Sequence, residues 1–385
     1  MAEPFKELLN PARITHAGQT LSQRARGLRL RFDAQRFSVL ASEGLQTLEM
    51  KARAMHIADA LEACLPTSFD DAATLIEASL ARPQPVADGE AVIPAAAVDG
   101  LNGWICWPLG EYIARRGLGE PERALRALHA LTQRFTAEWA IRPFIVAHPR
   151  LCFAQFAHWA QDESAHVRRL VSEGSRPRLP WGLQLKALVA DPGPSLPLLK
   201  RLQDDPSAYV RRSVANHLND IAKDHPELVA DWLHEHLPGA SAPRTALLRH
   251  AARGLIKAGH QRCLQAFGLG ARFQGEVALK LSPPRLKLGQ SLSLELRLNS
   301  TSKRPQPLEI DYAVLLVKAN GSRSPKVFKG WKLELPAGQS RQLDKRHPIK
   351  PITTRRYHAG LHAVELRING LGVASAEFHL LEGSA

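Results

Sequence analysis

Apolar side chains recur every three or four positions through the first two thirds of the chain, then switch near residue 272 to strict alternation with polar ones. The first spacing places one face of an α-helix against a core, and the second places one face of a β-strand there. Residues 1–82 read as helical, with Ala, Leu, Glu and Arg dominating segments such as LSQRARGLRLRF and LEMKARAMHIADALEACL. Residues 83–100 carry Pro, Gly and Asp and predict a long loop. Helical pattern resumes from about 104 and predicts helices over 122–135, 136–146, 150–160, 164–174, 181–190, 195–203, 207–221, 226–236 and 242–258. Beyond 272, VALKL, SLSLELRL, LEIDYAVLLV, KVFKGWKLEL, HAVELRI and SAEFHLL alternate, with Gly, Pro, Asn and Ser between them. That pattern predicts an antiparallel β-sandwich of about seven strands.

Two helical segments copy each other. QDESAHVRRLVS (161–172) and QDDPSAYVRRSVA (203–215) align on Ser164 and Ser207, 43 residues apart, and match at Ala165/Ala208, Val167/Val210, Arg168/Arg211, Arg169/Arg212 and Val171/Val214. A self-match at this period is the signature of HEAT or armadillo repeats, whose stacked helix pairs bury a face that no single pair could bury. The buried side is read as Val167, Leu170 and Val171, and as Val210, Val214, Leu218 and Ile221. A weaker third copy begins near Thr245 at an offset of 38, where Leu248, Arg249, His250 and Ala252 answer Val210, Arg211, Arg212 and Val214. The expected fold is multi-domain: an all-α HEAT-like-repeat solenoid over 1–270, followed by an all-β Ig-like sandwich over 272–385.

Charge adds a partner. The chain carries a formal +14 and a pI near 10, which points to a polyanion, either nucleic acid or an anionic membrane surface. Residues 272–385 hold 19 Lys+Arg against 9 Asp+Glu, so the sandwich is the more basic part per residue. Arg304, Lys326, Lys329, Lys332, Lys345, Arg346, Arg355 and Arg356 gather near expected turns and strand ends. Edge-strand protection accounts for a few of them, and a phosphate-contacting clamp for the excess. Cys64, Cys106, Cys152 and Cys263 are too scattered for a zinc site or a disulfide framework and read as reduced thiols. The start MAEPFKELLN does not read as a signal peptide, and no apolar window is long enough to span a bilayer. The expectation is an intracellular protein with no membrane partner.

The densest chemistry lies in HVRRLVSEGSRPRLPW (166–181). Arg168, Arg169, Arg176 and Arg178, with Arg211 and Arg212 in the second copy, offer donors for phosphate oxygens. On helical spacing, Arg169, Glu173 and Arg176 form one stripe, and Arg212, Asn216 and Asp220 another. A carboxylate repels phosphate, so Glu173 has two readings: an ion-pair partner that orients Arg169, or a group facing something cationic. Trp181 is open in the same way, as a core aromatic or as a stacking and cation–π platform.

These motifs, with FTAEWAIRPFI (135–145) upstream and YVRRSVANHLNDIAKDHPE (209–227) downstream, resemble the AlkC branch of the HEAT-like-repeat alkylpurine DNA glycosylases. Three motifs occur in the right order, and the Ig-like module matches members of that branch that carry one. The sister AlkD branch lacks that module. The resemblance implies a base-excision-repair hydrolase that cleaves the N-glycosidic bond of cationic N3-methylated bases in double-stranded DNA. The base is chiefly 3-methyladenine, with 3-methylcytosine as a second candidate. It implies Glu138, Glu173, Asp220 and Trp181 at the active site, Arg169 and Arg176 on the DNA backbone, and exposure of the lesion by bending, without a base-flipping pocket. No cofactor or metal is expected, and the protein is expected to act as a cytoplasmic monomer on nucleoid DNA. Trp107 and Glu111, in ICWPLGEY, resemble the AlkD Trp/Asp pair and form a weaker alternative. A competing reading is a non-catalytic basic HEAT-repeat scaffold for nucleic acid or protein. Against it stands the carboxylate set, which a passive clamp does not need.

Overall fold

The computed structural model describes residues 4–83, 99–351 and 357–381. Most of the loop expected over 83–100, and Arg355 and Arg356, lie outside the described residues. The helices among them are α1 (Pro11–Gly27), α2 (Ala34–Ser42), α3 (Met50–Cys64), α4 (Phe69–Ser79), α5 (Cys106–Arg116), α6 (Pro121–Thr132), α7 (Arg142–Ala147), α8 (Pro149–Trp159), α9 (Ala165–Gly174), α10 (Lys186–Ala190), α11 (Leu196–Leu202), α12 (Ala208–Ile221), α13 (Pro226–His236), α14 (Ala242–Ala251), α15 (Arg253–Ala258) and α16 (Gln261–Ala266). The strands are β1 (Gly275–Ser282), β2 (Arg285–Leu286), β3 (Ser291–Ser300), β4 (Gln306–Val317), β5 (Arg323–Leu335), β6 (Ser340–Pro348), β7 (Gly360–Ile368) and β8 (Leu371–Leu380). The fold is thus an all-α helical-repeat region followed by an all-β sandwich. None of the described helices is long and apolar enough to cross a membrane.

Two compact units emerge: Met1–Asp224 with Ser241–Ala251, and His225–Ala240 with Ala252–Ala385. Composition draws its boundary at 270–272, whereas α13, α15 and α16 group with the strands.

In the first unit the helix starts are written locally. The side chains of Asn10, Asp33 and Ser68 accept from the backbone N–H groups of Arg13, Arg36 and Asp71, satisfying donors that the first turn leaves open. The repeated helices α9 and α12 pack together, and α12 packs on α14. Val167, Leu170, Val171, Val210, Val214, Leu218 and Ile221 are all buried, as the period requires. Three expected helices change. Of 136–146 only the part from 142 onward is helical, within α7, because Pro143 opens a helix there and the residues before it form a turn. Only 186–190 of 181–190 is helical, and 242–258 breaks at Ala252. The third repeat keeps its buried positions but not its helix start. Leu248 and Ala252 are buried like Val210 and Val214, while α14 begins about one turn earlier relative to that match than α12 does.

In the second unit the strands form sheets of order β1-β3-β6 and β2-β8-β7-β4-β5, antiparallel except for the two-residue β2 beside β8. Leu292, Leu294, Leu296 and Leu298 of β3, Ile310, Tyr312, Val314 and Leu316 of β4, and Val364, Leu366 and Ile368 of β7 supply its core. The alternating text did not disclose β6, whose residues Ser340–Pro348 are polar except Leu343 and Pro348. It is an edge strand, so little of it is buried. Gly259 ends α15 at φ 78° with its backbone against Gly370 of the β7–β8 turn, and a Cβ at either position would strike the other's backbone. Cys106, Cys152 and Cys263 are buried and Cys64 is partly so, and none of the four is in a disulfide among the described residues.

Candidate active site

The first arginine of each VRR copy holds the turn in front of its own helix. Asp162 Oδ1 accepts from Ser164 N and Asp205 Oδ1 accepts from Ser207 N, both at 2.8 Å. Arg168 Nη1 then donates to the Asp162 and Glu163 carbonyls at 2.7 and 2.8 Å. Arg211 Nη1 does the same to Asp205 and Pro206 at 2.5 and 2.7 Å. The remaining donors of Arg168 form a bidentate pair with Asp205, at 2.6 and 3.0 Å. Arg178 is bidentate to Asp224. Of the six arginines expected to reach phosphate, Arg212 is the one left exposed with no side-chain partner among the described residues.

The second arginine of the first copy enters an acidic centre. Arg169 pairs with Glu138 at 2.8 Å and stands 3.7 Å from Glu173. Glu173 Oε1 accepts from Arg176 at 2.5 Å and its Oε2 accepts from the Ser213 hydroxyl at 2.6 Å. Arg176 goes on to Asp220 Oδ2 at 2.7 Å, and Lys223 reaches Asp220 Oδ1 at 2.7 Å. The result is a chain in which carboxylates and cations alternate: Glu138, Arg169, Glu173, Arg176, Asp220, Lys223. Glu173 is 5 % exposed and Asp220 1 %. Arg176 joins from a different direction than helical spacing implies, because α9 stops at Gly174 and the arginine folds back from the following loop. Glu138 likewise sits in the turn before α7. Arg142, fully buried beside this chain, spends its donors on the carbonyls of Gly174, Pro177 and Leu183, which pins the 174–183 loop.

Electrostatics follow from the pairing. Burial pushes the Glu173 carboxyl up, but Arg169, Arg176 and the Ser213 hydroxyl outweigh it and hold the group below the ordinary carboxylate range. Glu173 is therefore an anion at neutral pH. Burial, with Arg176, pushes His217 down to about 4, so the imidazole is neutral. Its Nδ1 lies 2.9 Å from the Ser172 carbonyl, which makes that nitrogen the donor. Among the carboxylate oxygens of the centre, Glu138 Oε1 alone has no partner among the described residues, since Thr136 and Arg169 both take Oε2.

Beside the acidic chain stands an aromatic stack. Trp107 of α5 lies 4.3 Å from Trp139 at 25° and 5.8 Å from Trp181 at 6°. Trp107 is buried, while Trp181 is 52 % exposed and presents its ring to solvent. Trp181 takes φ 63°, a conformation that a bulky residue adopts only when its surroundings impose it. Here Trp139 Nε1 donates to the Pro180 carbonyl at 3.1 Å and Lys51 Nζ to the Trp181 carbonyl at 2.8 Å. The Trp107/Glu111 alternative separates: Trp107 belongs to the stack, but Glu111 pairs with Arg115 in a cluster with Asp59 and Glu62.

Sequence reasoning overlooked Trp139, Thr136, Ser213, Tyr209 and Lys223. All five lie inside the motifs quoted for their acidic and arginine members, yet alternation of charge alone does not reveal a hydroxyl on a carboxylate. Tyr209 lies under Arg169, 5.0 Å from ring centre to guanidinium carbon.

Comparison with known proteins places this site in a family. Residues 276–382 match the family model described as "Uncharacterised protein YhaZ, C-terminal Ig-like domain". The chain is 35% identical over 360 residues to the uncharacterized protein YhaZ of Bacillus subtilis strain 168, covering 91% of this chain and 92% of that one. It is similar in structure to the Pseudomonas fluorescens alkylpurine DNA glycosylase AlkC bound to DNA containing an abasic site analog, with a TM-score of 0.86 and 36% identity over 98% of this chain and 99% of that one. By sequence and structure alike, the chain belongs to the AlkC-type family of HEAT-like-repeat alkylpurine DNA glycosylases with a C-terminal Ig-like domain.

Proposed function

We propose that this protein hydrolyses the N-glycosidic bond of cationic N3-methylated bases in duplex DNA, 3-methyladenine first among them and 3-methylcytosine second. The observation that carries the reading is the alternating chain from Glu138 to Lys223 beside the exposed ring of Trp181. A surface that only gripped phosphate would gain nothing from three carboxylates.

N3-methylation gives the base a positive charge, so it departs as a neutral molecule and needs no acid to protonate it. Positive charge then develops on the sugar at C1′, as in other glycoside cleavages. Fixed carboxylates stabilise that charge without reorganising. Glu138, with its open Oε1, holds the attacking water and takes its proton. Glu173 and Asp220, saturated by their partners, act as fixed negative charge. Arg169 and Arg176 orient these carboxylates and present their cationic flank to the sugar–phosphate backbone, and Trp181 meets the cationic base or sugar with its π face. The basic sandwich acts as a clamp on the duplex, with Lys326, Lys329 and Lys332 along β5. The protein works as a monomer without a cofactor.

The test is direct. Methylated duplex incubated with the protein should release free 3-methyladenine, seen by chromatography, and leave one abasic site per base released. Duplex binding without release above background would leave only the scaffold reading.

A further inference from the structure

Of the Phe, Tyr and Trp side chains among the described residues, two are exposed, Phe5 and Trp181, and they stand side by side. Phe5 is 46 % exposed and Trp181 52 %, with ring centroids 6.1 Å apart and planes inclined at 49°. Scattered exposed apolar side chains are ordinary, whereas an adjoining pair held in place calls for a partner. The groups that hold this pair come from one end of α3. Phe5 opens a 3-10 turn, Phe5–Leu8. Arg53, 2 % exposed, donates through Nη1 to the Lys6 and Leu9 carbonyls at 3.0 and 2.9 Å, and through Nη2 to Glu7 Oε1 at 3.0 Å. Lys6 pairs with Glu49, the residue in front of α3. Lys51, in the first turn of α3, holds the Trp181 carbonyl. Edge-on packing against Trp104, at 4.7 Å and 85°, fixes the Phe5 ring itself.

We propose that Phe5 is a second substrate-contacting ring, which forms with Trp181 an open, two-walled aromatic notch for the cationic, N-methylated edge of the lesion base. The proposal rests on the reading of this protein as a glycosylase for such bases and deepens it with a contact that selects for charge. A methyl group on a ring nitrogen is an apolar knob that carries part of the positive charge of the base. Inclined aromatic rings bind methylated ammonium groups by the same chemistry, through the negative potential of their faces. The angle argues against a clamp for an unmodified base. A flat base held between two rings needs them parallel, whereas planes at 49° suit a knob. The acidic chain from Glu138 to Asp220 then acts on the sugar while the notch acts on the base. A 3-10 turn remote in sequence from every motif of the site thereby gains a place in it.

Single-turnover release of 3-methyladenine at saturating protein tests it with three variants. Phe5→Ala and Phe5→Leu remove the π face, and Leu keeps the apolar bulk. Each should slow release about three- to fivefold, the worth of one cation–π contact at an exposed site. Phe5→Tyr keeps the ring and should recover most of the rate. A duplex carrying 3-methyl-3-deazaadenine, in which carbon replaces the methylated nitrogen and removes the charge, supplies a readout that packing alone would not spare. Affinity for that duplex and for undamaged duplex should be the same in the wild type and all three variants, with melting temperatures unchanged. Should Phe5→Ala lose its melting transition, the comparison of Leu with Tyr decides alone. Release by Phe5→Leu at the wild-type rate would overturn the proposal. A loss of affinity for the neutral analogue that matches the loss of release would overturn it as well, and make Phe5 a contact of shape only. No release by the wild type would refute the glycosylase reading itself, whereas wild-type release that Phe5→Leu fully retains would refute the notch alone, so the two failures are distinguishable.

Discussion

Replacing Glu173 by Gln keeps the shape of the side chain and removes one negative charge from the middle of the acidic chain. The cost to folding is limited, because Arg169 retains Glu138 and Arg176 retains Asp220. Stripping a buried charge of its sole partner costs about 3–5 kcal/mol, whereas losing one charge-assisted hydrogen bond of several costs about 1.5–3 kcal/mol, and the lower range applies here. The effect on chemistry is larger. At an effective dielectric near 20, a unit charge held within ~6 Å of a developing cation contributes about 3 kcal/mol. That is a rate factor of roughly a hundred. Affinity for the duplex should hold or rise, since the change removes a negative charge from the site proposed to face the DNA. The assay is single-turnover release of 3-methyladenine at saturating protein, with anisotropy on the same duplex and a melt to certify the fold. A folded Glu173→Gln protein that excises within threefold of wild type would refute the electrostatic role and leave Glu173 as a mere arginine partner. A parallel fall in binding and release would refute it as well.

Other consequences are equally specific. Trp181→Ala should lower excision about tenfold, the worth of one cation–π contact near 1.4 kcal/mol, and leave affinity for undamaged duplex unchanged in anisotropy, because half of that ring is exposed. Asp205→Ala should cost about 3 kcal/mol in urea unfolding, since it strands the part-buried Arg168 and opens the turn before α12. His217 is held neutral in the folded protein, with a pKa near 4 against an ordinary 6.5. The unfolded chain gains a proton below 6.5, so the stability tied to neutral His217 is complete above that pH and is lost as pH falls towards 4. Thermal melts of His217→Gln should lack that part of the acid limb, on the order of 3 kcal/mol; an identical acid limb would show that His217 does not titrate on unfolding.

Much of this was legible because period and charge are local properties. The switch from helical to alternating spacing near 272 finds the start of the sandwich within a few residues of β1. The VRR self-match finds two helices that do pack together. What it cannot divulge is the direction of each guanidinium. Arg168 and Arg211 read in text as donors for phosphate, and nothing in the text announces that each also places Nη1 on two carbonyls of the turn before its own helix. Arg176 looks helical by spacing, yet Gly174 ends α9 and the pairing is made by a loop. The aromatic stack is invisible for a related reason. Trp107, Trp139 and Trp181 come from three segments far apart in sequence, and only the packing of α5 against the 137–141 and 174–183 loops brings them together. β6 escapes because an edge strand buries little, so its residues never had to alternate.

The central claim is that the site works on the charge of the lesion. It is tested most directly by single-turnover release from two defined duplexes, one with 3-methyladenine and one with hypoxanthine, a neutral purine in the same place. The account predicts rapid release of 3-methyladenine and no release of hypoxanthine above the spontaneous rate, because the proposed mechanism assigns no acid to protonate a neutral leaving base. Comparable release of the two would contradict it and require a general acid and a base-reading pocket that the Glu138–Glu173–Asp220 chain does not provide.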